Sequence, residues 1–218
     1  MALRELAATR SYLLINLGLA AYTFSIGGLA FWAPTFFNRV RGIELSRATL
    51  IFGIFTVVGG FAGTLGGGAL CDRLRSRVPS AYVLIPALSL FAAFPPLLMV
   101  FRTSSPALYW PLLLAAEILL FMNTGPLNAA IVNVVLPERR AQAMALNLLV
   151  IHLLGDALSP LLIGRLSDAW GLEAASEVIS LATLAAAAIL VLGARFLQRD
   201  ERAVAIRIAA ESGPREDR

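Results

Sequence analysis

From Ile151 to Asp168 the chain reads IHLLGDALSPLLIGRLSD, a stretch apolar and long enough to cross a bilayer that nevertheless carries His152 and Asp156. On insertion scales an acid at the centre of a membrane helix costs roughly 2.5 to 3.5 kcal/mol, so such residues face a bundle interior or a water-filled cavity. At i, i+4 spacing His152 and Asp156 share one helical face, with Gly155 and Ser159 beside them. The segment therefore reads as a membrane span whose polar stripe meets other helices rather than lipid.

The rest of the chain agrees with that reading. Apolar residues make up 58% of the 218, charged residues 15%, and the mean hydropathy is +0.77. A soluble domain carries about 45 to 50% apolar and about 25% charged residues. An all-α membrane protein is expected, and about 20 apolar residues per crossing divide it into six transmembrane helices: Tyr12 to Phe37, Thr49 to Leu70, Ala81 to Phe101, Ala107 to Leu136, Ala143 to Ile163 and Ala174 to Phe196. Residues 1–11 form an N-terminal segment, 12–197 the six-helix domain and 198–218 an arginine-rich tail. The run from Tyr12 to Phe37 is too long for a cleaved leader and reads as a first span.

All 18 basic residues are arginine. Thirteen fall in the N-terminal segment, the loops after the second and fourth spans and the tail, against five on the other side. The positive-inside rule then places both termini in the cytoplasm. The net charge of +4 reflects this topology and not nucleic-acid binding, because the arginines sit in short loops without interleaved aromatics. A lysine-free, alanine- and arginine-rich composition points to a GC-rich bacterial genome and hence to the inner membrane. Cys71 is the only cysteine, which excludes an intramolecular disulfide or a cysteine metal cluster. Glu117, His152 and Asp156 alone are too few for a metal site, so neither metal nor cofactor is expected.

Within the second span Gly59, Gly63 and Gly67 recur every four residues, with Gly53, Gly60, Gly66 and Gly68 around them. Small residues on one face let helix backbones approach closely. The stripe is either a tight packing seam or a sliding contact. Pro34, Pro86, Pro95, Pro96, Pro126 and Pro160 lie inside or at the ends of spans, where interior prolines kink helices. The pattern G-x-L-x-D occurs at Gly68 to Asp72 and again at Gly164 to Asp168, each at the exit of a span. The six helices thus read as two tandem three-helix units, and because three is odd the units are inverted in the membrane.

The loop from Gly68 to Arg77 resembles the signature loop of the major facilitator superfamily, whose six-helix halves contain such inverted three-helix repeats. The resemblance implies a conformational latch in which Gly68, Asp72, Arg73 and Arg77 take part, although Arg75 and Ser76 replace the glycine and basic pair usual there. More specifically, the chain is similar to the spinster-like branch, which includes sphingolipid and lysophospholipid carriers. That similarity rests on GGLAFWAP from Gly27 to Pro34, on Glu117 followed by Met122 and Asn123, and on HLLGDALSP from His152 to Pro160. It implies the C-terminal half of a twelve-helix carrier, one that needs an N-terminal six-helix half or another copy of itself.

Glu117 lies within LLLAAEILLFMNTGPLN, and at 100° per residue Thr124 and Asn128 fall close to its face. This stripe either lines a cavity that handles a proton or a substrate headgroup, or holds the bundle by interhelical hydrogen bonds. Imidazole titrates near neutrality, so His152 with Asp156 and Ser159 reads either as a proton relay or as an interhelical pair. No nucleophile motif or oxyanion loop accompanies them, which argues against an intramembrane enzyme. The expected function is secondary, proton-coupled transport of an amphipathic, organic or lipid-like solute; the alternative is a truncated or accessory membrane protein that does not transport.

Overall fold

The structure, a computed structural model, describes residues 2–211. Among them there is no strand, and six helical stretches are long and apolar enough to cross a membrane. A short helix α1 (Ala2–Ala8) precedes α2 (Arg10–Arg39), α3 (Leu45–Arg75) and α4 (Ala81–Arg102), the first three spans. The fourth is α5 (Pro106–Phe121) followed by α6 (Thr124–Asn133). The fifth is α7 (Arg140–Ile151), a π-helical turn (His152–Asp156) and α8 (Ser159–Trp170); the sixth is α9 (Leu172–Glu211). The end of the arginine-rich tail, residues 212–218, lies outside the described residues.

Packing follows a pseudo-twofold pattern. The first span packs on the sixth and the fifth, the fourth packs on the third and the second, and the third and sixth pack on each other. Exchanging the first three spans for the last three reproduces the same set of neighbours, as an inverted repeat requires. The two G-x-L-x-D segments end α3 and α8, on opposite sides of the bundle. Buried aromatics and aliphatics, among them Tyr12, Phe36, Phe37, Phe101 and Leu113, fill the centre.

Two spans expected as continuous helices are interrupted, and the prolines explain both. A proline lacks the N–H that would bond the carbonyl four residues earlier, and its ring crowds that carbonyl. Pro126 does this to Met122, where α5 ends. Pro160 does it to Asp156, where the helix widens so that the Ala157 N–H bonds His152 O at 3.0 Å instead. By contrast Pro34, Pro86, Pro95 and Pro96 are absorbed within continuous α2 and α4.

The sixth helix also continues past Phe196, where its apolar run ends, and becomes a brace on the side of the bundle that holds α1. The N-cap of α2, Thr9, makes no side-chain cap. Asp200 of α9 substitutes for it, its Oδ2 accepting the Ser11 N–H at 2.9 Å and the Ser11 hydroxyl at 2.8 Å. Glu201 accepts from Arg75 at the end of α3 and from Asn133 at the end of α6, while Glu5 of α1 pairs with Arg139 and with Arg207. Losing an N-cap costs about 0.5 to 2 kcal/mol. Asp200→Ala should therefore lower stability by about 1 to 2 kcal/mol in thermal unfolding, with Asp200→Asn recovering part of the loss because its amide oxygen still accepts.

Candidate functional site

The seam between α3 and α5 places the first candidate residue. A Cβ at Gly59 would stand 2.9 Å from Glu117 Cβ, one at Gly63 2.3 Å from Ile118 O, and one at Gly67 2.1 Å from Met122 O. Only glycine permits that approach. Gly53, Gly60, Gly66 and Gly68 meet nothing within 4 Å, so the seven glycines divide into a closed seam and an open face.

Glu117 is buried at the top of that seam, 1% exposed. One carboxylate oxygen, Oε1, accepts the Thr56 hydroxyl at 3.1 Å, while buried Oε2 has no partner among the described residues. Thr56 in turn lines an open groove of about 470 Å³ with Val57, Gly60, Phe61, Thr64, Leu65 and Phe121. A hydroxyl on the open face thus reaches through to a buried carboxylate. Thr124 and Asn128 do not extend Glu117's buried face: they are exposed on α6, because the break after Phe121 cancels the helical phase that had aligned them.

Across the first span lies the second group. His152 Nδ1 and Asp156 Oδ2 are 2.6 Å apart on the π turn, with His152 exposed and Asp156 half-buried. Gly155 faces inward, where a Cβ would meet Thr23 Cβ at 2.7 Å and Phe24 N at 2.9 Å. A Cβ at Gly27 would lie 2.8 Å from Asp156 Oδ1 and 3.0 Å from the Ser159 hydroxyl. Ser159 is buried and turns its hydroxyl back to Asp156 O at 3.4 Å, toward the carbonyl that Pro160 leaves unpaired. Trp32 donates to Pro160 O at 3.1 Å, so α2 holds the fifth span beyond the turn as well as before it, where Asn147 donates to Asn16 and Tyr12 to Ala143 O.

Together α3 and the fifth span are the least buried of the six and flank α2 and α6 on one side of the bundle. Thr56 lies on α3, Thr124 and Asn128 on α6, and the His152–Asp156 pair on the fifth span. In the loop after α3, Asp72 accepts the Tyr82 hydroxyl at 2.8 Å, and Arg75 lies over the Tyr82 ring while pairing with Glu201. Arg73 and Arg77 are exposed and have no ion-pair partner among the described residues, and Gly68 is on the open face. Sequence reasoning missed Thr56, Asp200 and Glu201. The four-residue spacing of Thr56, Gly60, Thr64 and Gly68 along one face was the available signal for the first.

The sequence pattern of the Major Facilitator Superfamily matches residues 2–160. Protein spinster homolog 3 of Danio rerio is 39% identical over 76% of this chain and 36% of its own length. Protein spinster homolog 1 of Bos taurus is 33% identical over 99% of this chain and 47% of its own. A sphingosine-1-phosphate transporter of Xenopus tropicalis is 34% identical over 76% and 35% respectively. The crystal structure of a bacterial homolog to the human lysosomal transporter spinster, inward-facing and unoccupied, superposes with a TM-score of 0.72 at 23% identity, covering 94% of this chain and 50% of that one. The chain spans between about a third and a half of the length of these curated relatives.

Proposed function

We propose, from the premise that this chain belongs to the Major Facilitator Superfamily and is spinster-like, that it forms the C-terminal six-helix half of a proton-coupled carrier of amphipathic, lipid-like solutes. The observation that carries this reading is the side formed by α3 and the fifth span, which is poorly covered and yet holds an ion pair and an open groove leading to a buried carboxylate. In hydrocarbon such a pair is costly, so water or a second six-helix unit covers it. Transport sites of this kind lie between two such units.

In this reading Glu117 is the group that takes a proton or orders a headgroup: Thr56 holds one oxygen and leaves the other for a ligand or proton. His152 and Asp156, seated by Gly27, Gly155 and Ser159, face the second unit and relay the proton, with Thr124 and Asn128 lining the path. The loop after α3 is the latch, its Asp72 fixed by Tyr82 and its Arg73 and Arg77 free to meet the other half when the carrier closes. Both termini face the cytoplasm and the membrane is the bacterial inner membrane.

The test is flux. Proteoliposomes holding this chain together with the N-terminal six-helix unit of a spinster-type relative should move a fluorescent lysophospholipid when a proton gradient is imposed, and those holding this chain alone should not. Absence of both flux and saturable binding in the paired sample would leave a non-transporting membrane protein as the better account.

A further inference from the structure

The arginines on the side that holds α1 and the end of α9 differ in their partners. Arg75, Arg139 and Arg207 are ion-paired to Glu201 or Glu5. The others near the end of the apolar part of α9 form a cluster: Arg10 of α2 and Arg199 of α9 lie over the Phe196 ring at 5.4 and 5.8 Å from its centroid. Arg195 is exposed one turn before Arg199 and, like Arg10, has no carboxylate partner among the described residues. The carboxylate that Arg199 touches, Asp200 at 3.3 Å, is 7% exposed and already committed through its other oxygen to Ser11. Two guanidinium groups from two helices thus meet at one aromatic ring, with Arg195 exposed one turn before Arg199 on α9 and a single buried acid already in use beside them.

The surface that adjoins this cluster is apolar. Leu192 precedes Arg195 by three residues and Arg199 by seven, so all three share the outward face of α9. Leu192 and Leu181 on α9 and Leu13 and Leu17 on α2 are exposed. From Leu192 a groove of about 490 Å³ runs between α9 and α4, lined by Leu88, Phe91, Leu184, Ala188 and Val191. A face that changes from apolar to cationic at one helical level, with a groove on the apolar side, matches an anionic head carried on acyl chains.

We propose that this face is a binding site for an anionic phospholipid, its phosphate held by Arg10, Arg195 and Arg199 at the headgroup level and an acyl chain lying in the groove between α4 and α9. The charge is complementary, since basic clusters at the end of a membrane helix bind anionic headgroups. The apolar groove distinguishes a lipid from a free phosphate, which would have no use for it. The site lies on α9, α4 and the start of α2, takes no residue from α3 or the fifth span, and is independent of what the chain transports.

The measurement is native mass spectrometry of the full chain released from detergent after equilibration with phosphatidylglycerol, phosphatidylcholine or glycerol phosphate. The intact chain should retain phosphatidylglycerol over phosphatidylcholine, and R10Q/R195Q/R199Q should lose about tenfold or more of that preference. R39Q/R47Q/R165Q, which removes three arginines from the other side of the bundle, should keep it. Equal loss in the two triple variants, equal retention of the two lipids by the intact chain, or retention of glycerol phosphate as strong as that of the lipid would overturn the site. All six positions are exposed or half-buried, and circular dichroism confirms that each variant is folded.

Discussion

Gly67→Leu is expected to abolish accumulation of folded protein, and Gly67→Ala to lower its stability by about 3 kcal/mol or more, while Gly60→Ala leaves it unchanged. The difference lies in what each side chain would meet. A methyl at position 67 would stand 2.1 Å from the carbonyl oxygen of Met122 and 2.7 Å from its Cα, all backbone atoms that cannot turn aside. Overpacking a well-filled interface typically costs 1 to 3 kcal/mol, and here relief requires α3 and α5 to separate along the whole seam from Gly59 to Gly67. Position 60, on the same helix, has nothing within 4 Å. Thermal unfolding of the purified variants in one detergent decides the matter. Equal behaviour at 60 and 67 would mean that the seam is loose enough to slide.

Glu117→Gln is expected to reduce proton-driven flux of the complete carrier at least tenfold without lowering its abundance in the membrane. Glutamine keeps the shape and an oxygen acceptor for the Thr56 hydroxyl, so the contact between α3 and α5 survives. What it removes is a carboxyl that can gain and lose a proton, and the free Oε2 becomes an amide nitrogen that cannot accept. A role in packing alone would leave flux unchanged and would be disturbed instead by Thr56→Val. Measuring flux and unfolding for both variants separates the two roles.

The six spans were legible because hydropathy and length decide them, and the inverted repeat was legible in Gly68 to Asp72 and Gly164 to Asp168. The interruptions were not. A proline announces that a carbonyl loses its bond but not how the chain responds: Pro34 is accommodated in a continuous α2, whereas Pro126 ends a helix and Pro160 widens one. Glu117 was evident as an acid in an apolar run, but its partner was not. Threonines in membrane helices commonly bond their own backbone, as Thr23 does to Leu19 O and Thr49 to Leu45 O, and nothing in the sequence marks Thr56 as the one that reaches across. Asp200 and Glu201 fall in the stretch read as an arginine-rich tail. Only the continuation of α9 beyond its apolar part brings them against the ends of α2, α3 and α6.

The turn from His152 to Asp156 spends one residue more than an α-helical turn to cover nearly the same rise. Deleting a residue there would barely shorten the span. It would also leave the face of everything downstream nearly unchanged, because the widened turn already absorbs that residue; tightening the turn to an α-helix with all its residues kept would instead rotate the rest by about 100° about the helix axis, carrying Ser159 away from Gly27 and Ile163 from Gly28, whose missing side chain now makes room for it. Upstream, the Asn147 and Ala143 contacts to α2 would stay in place. The turn between Asn147 and Ser159, widened or tight, therefore acts as an angular setting for the rest of the fifth span.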